Sequence, residues 1–278
     1  MKILVADPAK NITVFVLDPV ENPEKRASIA RAILAEKSLG AEQVGFVFPP
    51  DTSASASGNG LWHLEMAGGE FCGNASRSLG LLAAAESGLS GKHTLTIETS
   101  GISGSVPVHI DTEAQTAEIA IPGPAAQTAI CLEGRHYPVY EFEGITHIIA
   151  EGMQMDERIA RLAIRTYNEG RLAAGKQPCS ALGVMFYDAQ KCFMRPVVWT
   201  RDLDTLVCES SCGSGSAALG VWAVRNTEDA ELTLNPEQPG GTITVSVAKQ
   251  AGIIKRLSIS GKVSLGKPFH YRIFLLAV

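Results

Sequence analysis

Two cysteines stand in front of glycine-rich stretches that read almost alike, Cys72 in EFCGNASRSLG and Cys212 in SSCGSGSAALG. Set in register, Cys, Gly, Ser, Leu and a final Gly recur. A Cys-Gly pair opening an apolar run is the pattern of a helix start, where the first N–H groups lack intrahelical partners and the helix dipole is positive. Such an end binds carboxylates and favours a thiolate, which lowers a cysteine pKa from about 8.5 into a range of about 3.5–7.5. Glycine beside the sulfur lets a ligand approach the main chain. Taken alone, a Cys-Gly pair reads as a small buried hydrophobe near a turn. The repetition favours chemistry. Two such ends around one amino acid could hold its α-carboxylate, with one sulfur on each face of Cα. One thiolate removes the Cα proton, the opposite thiol returns a proton, and the stereocentre inverts. The carbanion, its charge spread into the carboxylate, is what the helix ends stabilise most. Interacting thiols titrate as a pair, so one protonated and one ionised sulfur near neutral pH is a natural resting state.

The elements that must carry these sulfurs repeat as well. In the first half, Asn22-Pro23 starts a helix that Gly40 stops, flanked by the strand-like runs ITVFVLD and VGFVF. Residues 49–60 have nothing to bury and read as a mobile surface loop, after which LWHLEM resumes as a strand. LGLLAAAESGL is helical and Gly88 can end it, with the strands HTLTIET and SGSVPVHID behind it. In the second half an amphipathic helix begins at Asp156, ALGVWAV follows the second motif as a helix, and AELTLNP and GGTITVSVA follow as strands. The same order twice points to an internal duplication. The expected division is 1–125, carrying Cys72, and 126–278, carrying Cys212, with the last strand, HYRIFLLAV, free to return to the first domain.

Composition narrows the function classes. With 278 residues, 45% of them hydrophobic and 19% charged, the chain is long enough for two globular domains. Its net charge of −5 and the lack of any Lys/Arg run argue against nucleic acid as a partner. No apolar segment reaches the ~18 residues of a membrane span, and the start meets Asp7 and Pro8 too early for a signal-peptide core. A cytoplasmic location is expected. Six cysteines are too few for a disulfide framework, and the Cys208/Cys212 pair has no second pair at zinc-site spacing, so no metal is expected.

CGNASR at Cys72 and CGSGSA at Cys212 resemble the paired motifs of the diaminopimelate epimerase family, the cofactor-independent amino-acid racemases and epimerases, over nearly the whole chain. The resemblance implies an α+β fold of two pseudo-symmetric domains, each a barrel-like, mostly antiparallel sheet around a central helix. It implies Cys72 and Cys212 as the acid and base, no cofactor, and Gly73, Asn74, Gly213 and Ser214 as the carboxylate cradle. Asn11, in DPAKNITVFV, matches a substrate-contacting asparagine. The family's acidic-glycine motif before the second cysteine and its G-N-P-H segment are replaced here by RDLDTLVCESSC and GITH, which argues against diaminopimelate as substrate. EQVGF, EFCGNA, ESSCGSG and QPGG are similar to the histidine racemases of the same superfamily. By that likeness Glu42 and Glu209 are candidate partners for the substrate ammonium or imidazole, and a charge-assisted hydrogen bond suits either cation. Phenazine-type isomerases lack the cysteine pair, and proline racemases carry His where Asn74 stands. His63 and His147 read as core or strand-edge histidines, and Arg77 as packing or pairing with a carboxylate. The expected activity is pyridoxal-free racemisation, with histidine the favoured substrate, diaminopimelate or another amino acid the alternative, and an amino-acid-binding protein the non-enzymatic one. The sequence leaves a homodimer open.

Overall fold

The computed structural model describes residues 1–50 and 60–272. Most of the surface loop expected over 49–60, and residues 273–278 of the expected last strand, lie outside the described residues. The chain divides into two compact units, the first Met1–Ile119 with Ser260 onwards, the second Ala120–Ile259.

In the first unit, β1 (Lys2–Asp7) pairs antiparallel with β2 (Thr13–Val16), and α1 (Pro23–Ala35) leads to β3 (Gln43–Phe48), which lies parallel to β2 with Val14 opposite Val44. β4 (Trp62–Met66) returns antiparallel to β3, α2 (Gly73–Glu86) follows, and β5 (Lys92–Thr99), β6 (Ser105–Asp111) and β7 (Thr116–Ala120) extend the sheet. Asn22 caps α1 by accepting from the Lys25 N–H, with Pro23 as its first residue. The helix ends earlier than Gly40 suggests. Ala35 is its last residue, and Gly40 (φ 59°) instead closes a separate 3₁₀ turn at Lys37–Leu39.

In the second unit, β8 (Ala126–Leu132) and β9 (Arg135–Glu141) form a hairpin, and β10 (Thr146–Glu151) runs antiparallel to β9. α3 (Glu157–Ala173), capped by Asp156, leads to β11 (Ala181–Asp188), parallel to β10. β12 (Phe193–Thr200) returns antiparallel, β13 (Thr205–Cys208) pairs with it, and α4 (Gly213–Ala223) follows. β14 (Ala230–Leu234), β15 (Glu237–Gln238), β16 (Gly241–Thr242), β17 (Thr244–Gln250) and β18 (Ile253–Lys262) complete it. The chain then supplies β19 (Ser264–Leu265) and β20 (Phe269–His270), both antiparallel to β1.

The chain is thus α+β, with mixed sheets and few helices. Each unit runs through an antiparallel pair, a helical crossover to a parallel strand, an antiparallel return, and then a Cys-Gly helix. The helices α2 and α4 are buried from their first residue through Ala84 and Val221, α4 with only small and apolar residues, α2 with Asn74, Ser76, Arg77 and Ser78 buried in its first turns. The last glycine of each motif explains how close they lie. A Cβ on Gly80 would stand 2.6 Å from Val108 on β6, and one on Gly220 would stand 2.6 Å from Val245 on β17. Any larger residue would push the helix off its sheet. Among the described residues no helix is long and apolar enough to cross a membrane.

Candidate active site

Both cysteines occupy the N-cap position of their helices. Cys72 is extended (φ −120°, ψ 104°), and its sulfur accepts from the Ala75 N–H at 3.5 Å. Cys212 has nearly the same backbone (φ −128°, ψ 113°). The serine shared by the motifs does the same work twice, Ser76 Oγ donating to the Cys72 carbonyl at 2.8 Å and Ser216 Oγ to the Cys212 carbonyl at 2.7 Å. The shared leucines, Leu79 and Leu219, have no exposed surface. Four of the five repeated letters therefore have a local job: the sulfur at the cap, the hydroxyl fixing the cap peptide, and the leucine and final glycine seating the helix.

In the first unit Asn11, Glu42 and Asn74 are brought together with Arg77 at the start of α2. Arg77 Nε donates to Asn74 Oδ1 (3.2 Å), Asn74 Nδ2 to Asn11 Oδ1 (3.1 Å), and Asn11 Nδ2 to Glu42 Oε2 (2.9 Å). Asn11 and Asn74 are buried and Glu42 is half-buried, so the amides at the cradle are locked in orientation and Glu42 is not a bare surface carboxylate. Of the two roles the sequence offers, packing and pairing, Arg77 shows packing: it is fully buried and has no carboxylate partner among the described residues. Its Nη1 donates to the carbonyls of Gly261 (2.9 Å) and Lys262 (3.1 Å), and its Nη2 has no hydrogen-bond partner among the described residues. Burial pulls the guanidinium down to about 10, against the opposite pull that Cys72 exerts when it is ionised.

In the second unit Glu209, Gly213 and Ser214 gather at Cys212. The Cys212 N–H donates to Gln238 Oε1 (2.8 Å), and Gln238 Nε2 donates to Ser216 Oγ (3.0 Å), so one buried amide grips the cap peptide from both ends. Ser214 Oγ lies 3.7 Å from Cys212 Sγ and 2.9 Å from His147 Nε2. His147, on β10 opposite Gly183, is fully buried, and its Nδ1 has no hydrogen-bond partner among the described residues. Burial drops it to about 3, so the ring is neutral at neutral pH. An imidazole, a hydroxyl and a thiol thus form a buried row ending at the sulfur.

The helix start does not lower the Cys212 pKa, as its position alone suggests. Burial pushes the thiol well up, Glu209 adds to this, and the Gly215 N–H and Ser214 hydroxyl only oppose it. Cys212 is 4% exposed, and desolvation of the charged form outweighs the dipole. Cys72, half-buried, stands in a wetter place. The two sulfurs therefore stand in different surroundings, Cys212 desolvated and Cys72 half-buried and accepting a helix N–H.

Gln238, His147 and the role of Arg77 escape sequence reasoning. QPGG signals a turn but not that its glutamine reaches back to a peptide, and GITH gives no sign that its histidine ends beside a serine. His63 is not a core residue. It is half-exposed on β4, with Nε2 3.2 Å from Glu65 Oε2 and Nδ1 3.8 Å from Glu98 Oε2. Among the described residues no group of three or more His, Cys, Asp or Glu side chains could hold a metal ion, and Cys208 lies at the surface, its sulfur 3.5 Å from Glu157.

A family model described as the histidine racemase CntK N-terminal domain matches residues 1–267. The chain is 29% identical over 262 residues to a histidine racemase of Staphylococcus aureus, covering 93% of this chain and 92% of that protein. It is 30% identical over 243 residues to a histidine racemase of Fusobacterium nucleatum subsp. nucleatum, covering 84% and 85%. Among solved structures it shares its fold with a hydroxyproline epimerase from Agrobacterium vitis, solved with bound trans-4-hydroxy-L-proline (TM-score 0.61, 14% identity, 97% of this chain and 91% of that one). It also shares it with a PhzF-family phenazine biosynthesis protein from Bacillus anthracis (TM-score 0.61, 17% identity, 98% and 99%).

Proposed function

We propose that this chain, which belongs to the histidine racemase family and is an isomerase acting on amino acids, inverts Cα of histidine by a two-base exchange between Cys72 and Cys212. The observation that carries the mechanism is the twofold N-cap cysteine, each on a buried helix and each held by a serine to its own carbonyl. The repeated order of elements supports reading the two units as pseudo-symmetric halves, each with a central helix.

In the L-to-D direction one thiolate takes the Cα proton and becomes a thiol. The electron pair left on Cα spreads into the carboxylate, which the N–H groups at Gly73 and Gly213, with Asn74 and Ser214, are suited to hold. The other thiol then protonates the opposite face and becomes a thiolate. Atoms and charge balance with no other reactant, and the exchange as written routes no step through pyridoxal phosphate or a metal. Glu42, oriented by Asn11, and Glu209 are the acceptors for the substrate's cationic groups.

The test is Cα–H exchange followed by NMR in D2O with a panel of single L-amino acids, read beside chiral chromatography. Loss of the signal and appearance of the D enantiomer are expected with histidine. Exchange with diaminopimelate alone would move the substrate to that compound. Binding without exchange for any amino acid would replace the enzymatic reading by a binding one. Cys72→Ala and Cys212→Ala should each reduce racemisation severely, since neither sulfur serves both faces.

A further inference from the structure

We propose that Arg77 is the built-in counter-charge of Cys72, so that the resting protein carries a thiolate at Cys72 and a thiol at Cys212. This rests on reading the two cysteines as acid and base, and it makes Arg77 a positioning residue that acts through the sulfur.

Arg77 has no exposed surface, and its partners among the described residues, the Asn74 amide and the Gly261 and Lys262 carbonyls, are all neutral. Its Nη2 is buried with no hydrogen-bond partner among the described residues. A buried cation without an anion is costly, so this arrangement calls for negative charge nearby. Cys72 caps the helix that carries Arg77, Arg77 bonds Asn74 in the first turn of that helix, and an ionised sulfur and the guanidinium attract each other. The Ala75 N–H on the Cys72 sulfur works in the same direction.

The second motif supplies the contrast. Where the first reads Cys-Gly-Asn-Ala-Ser-Arg, the second reads Cys-Gly-Ser-Gly-Ser-Ala, and the equivalent of Arg77 is the buried Ala217. No guanidinium is built into α4, and the charged group against Cys212 is the carboxylate of Glu209. The two sulfurs share a backbone but sit in opposite fields. Two carboxylates lie close in the chain or through hydrogen bonds, Glu42, reached through Asn11 and Asn74, and Glu70, two residues before Cys72. β5 offers the neutral Thr99, against Ser76, and β18 offers main-chain carbonyls to Arg77. Both carboxylates oppose a thiolate at Cys72, and the guanidinium favours it.

The test is site-resolved alkylation of the full-length protein with iodoacetamide across pH, each cysteine read by peptide mass spectrometry with no amino acid present. In the wild type Cys72 should ionise at lower pH than Cys212. In Arg77→Gln the Cys72 midpoint should rise by about one to three pH units, with Cys212 unmoved. Arg77→Lys should recover most of the shift, which a loss of packing alone would not produce. Ionisation of Cys212 before Cys72 in the wild type overturns the proposal whether or not the variants fold. So does an Arg77→Gln protein that keeps the wild-type Cys72 midpoint, or an Arg77→Lys protein as shifted as Arg77→Gln. Because the readout involves no turnover, failure here is distinct from failure of the racemase reading, which shows in Cα–H exchange.

Discussion

Replacing Gly101 with alanine tests whether the loop that delivers Cys72 is braced from behind. Gly101 lies in the turn after β5 with φ +77°. A Cβ there would overlap the Phe71 amide nitrogen and stand 2.6 Å from the Glu70 carbonyl carbon and 2.8 Å from Phe71 Cα. All three atoms are main chain, so no side-chain rotation relieves the overlap. The turn cannot simply swing away, because Ser100 Oγ donates to the Glu70 carbonyl (2.9 Å) and accepts from the Met66 N–H (2.9 Å). The left-handed backbone costs a residue bearing a Cβ about 1–2 kcal/mol, and overpacking adds about 1–3 kcal/mol. A total of about 2–5 kcal/mol corresponds to about 4–20 °C in Tm for a protein near this size. Because the strain falls on the peptide one residue before Cys72, a sulfur displacement near 1 Å should also reduce the racemisation rate, by about a hundredfold. Gly104→Ala is the control. It has the same φ of +77° but nothing within 4 Å of its Cβ, so it should show only the smaller stability loss and keep its rate. Thermal melting and initial rates measure both. A Gly101→Ala protein that matches Gly104→Ala in both assays refutes the reasoning.

Burial holds His147 at about 3 against 6.5 ordinarily, so protons bind the unfolded chain more tightly. Its contribution to stability is fully present above pH 6.5 and is lost as pH falls towards 3, amounting to about 2.5 kcal/mol between pH 7 and 4.5. Urea unfolding at those two pH values should show a smaller loss for His147→Gln than for wild type, and equal losses would count against the assignment. Glu209→Gln removes a negative charge from beside Cys212, so the alkylation midpoint of Cys212 should fall; an unchanged or higher midpoint would remove Glu209 from the account. Gln238→Ala leaves the buried Cys212 N–H without its acceptor, which should cost about 1–3 kcal/mol in denaturant unfolding, and a neutral result would mean that water replaces the amide.

The parts of the site that the sequence made legible are those that act at short range. Cys at the cap, Ser four residues on, and Leu and Gly on the following turn all do their work within one helix or against the sheet it covers, and a repeated motif exposes that pattern. Arg77, His147 and Gln238 remained opaque because their partners lie 184, 67 and 26 residues away in the chain. The rise in the Cys212 pKa was hidden for a related reason. A helix start promises a lowered thiol, but how much water reaches that start depends on what folds over it. Gly40 shows the limit for boundaries, since a glycine that ends a turn looks the same in sequence whether the turn is α or 3₁₀.

The two carbonyls that receive Arg77 belong to Gly261 and Lys262, 184 and 185 residues further along the chain. On a ribosome adding about 5–20 residues per second, the guanidinium waits roughly 10–40 s for those acceptors after its own synthesis. The whole second unit, Ala120–Ile259, is made in that interval. Maturation of the first cysteine's surroundings is therefore a late event of biosynthesis, and a nascent chain stalled inside the second unit holds α2 with its guanidinium still unanchored.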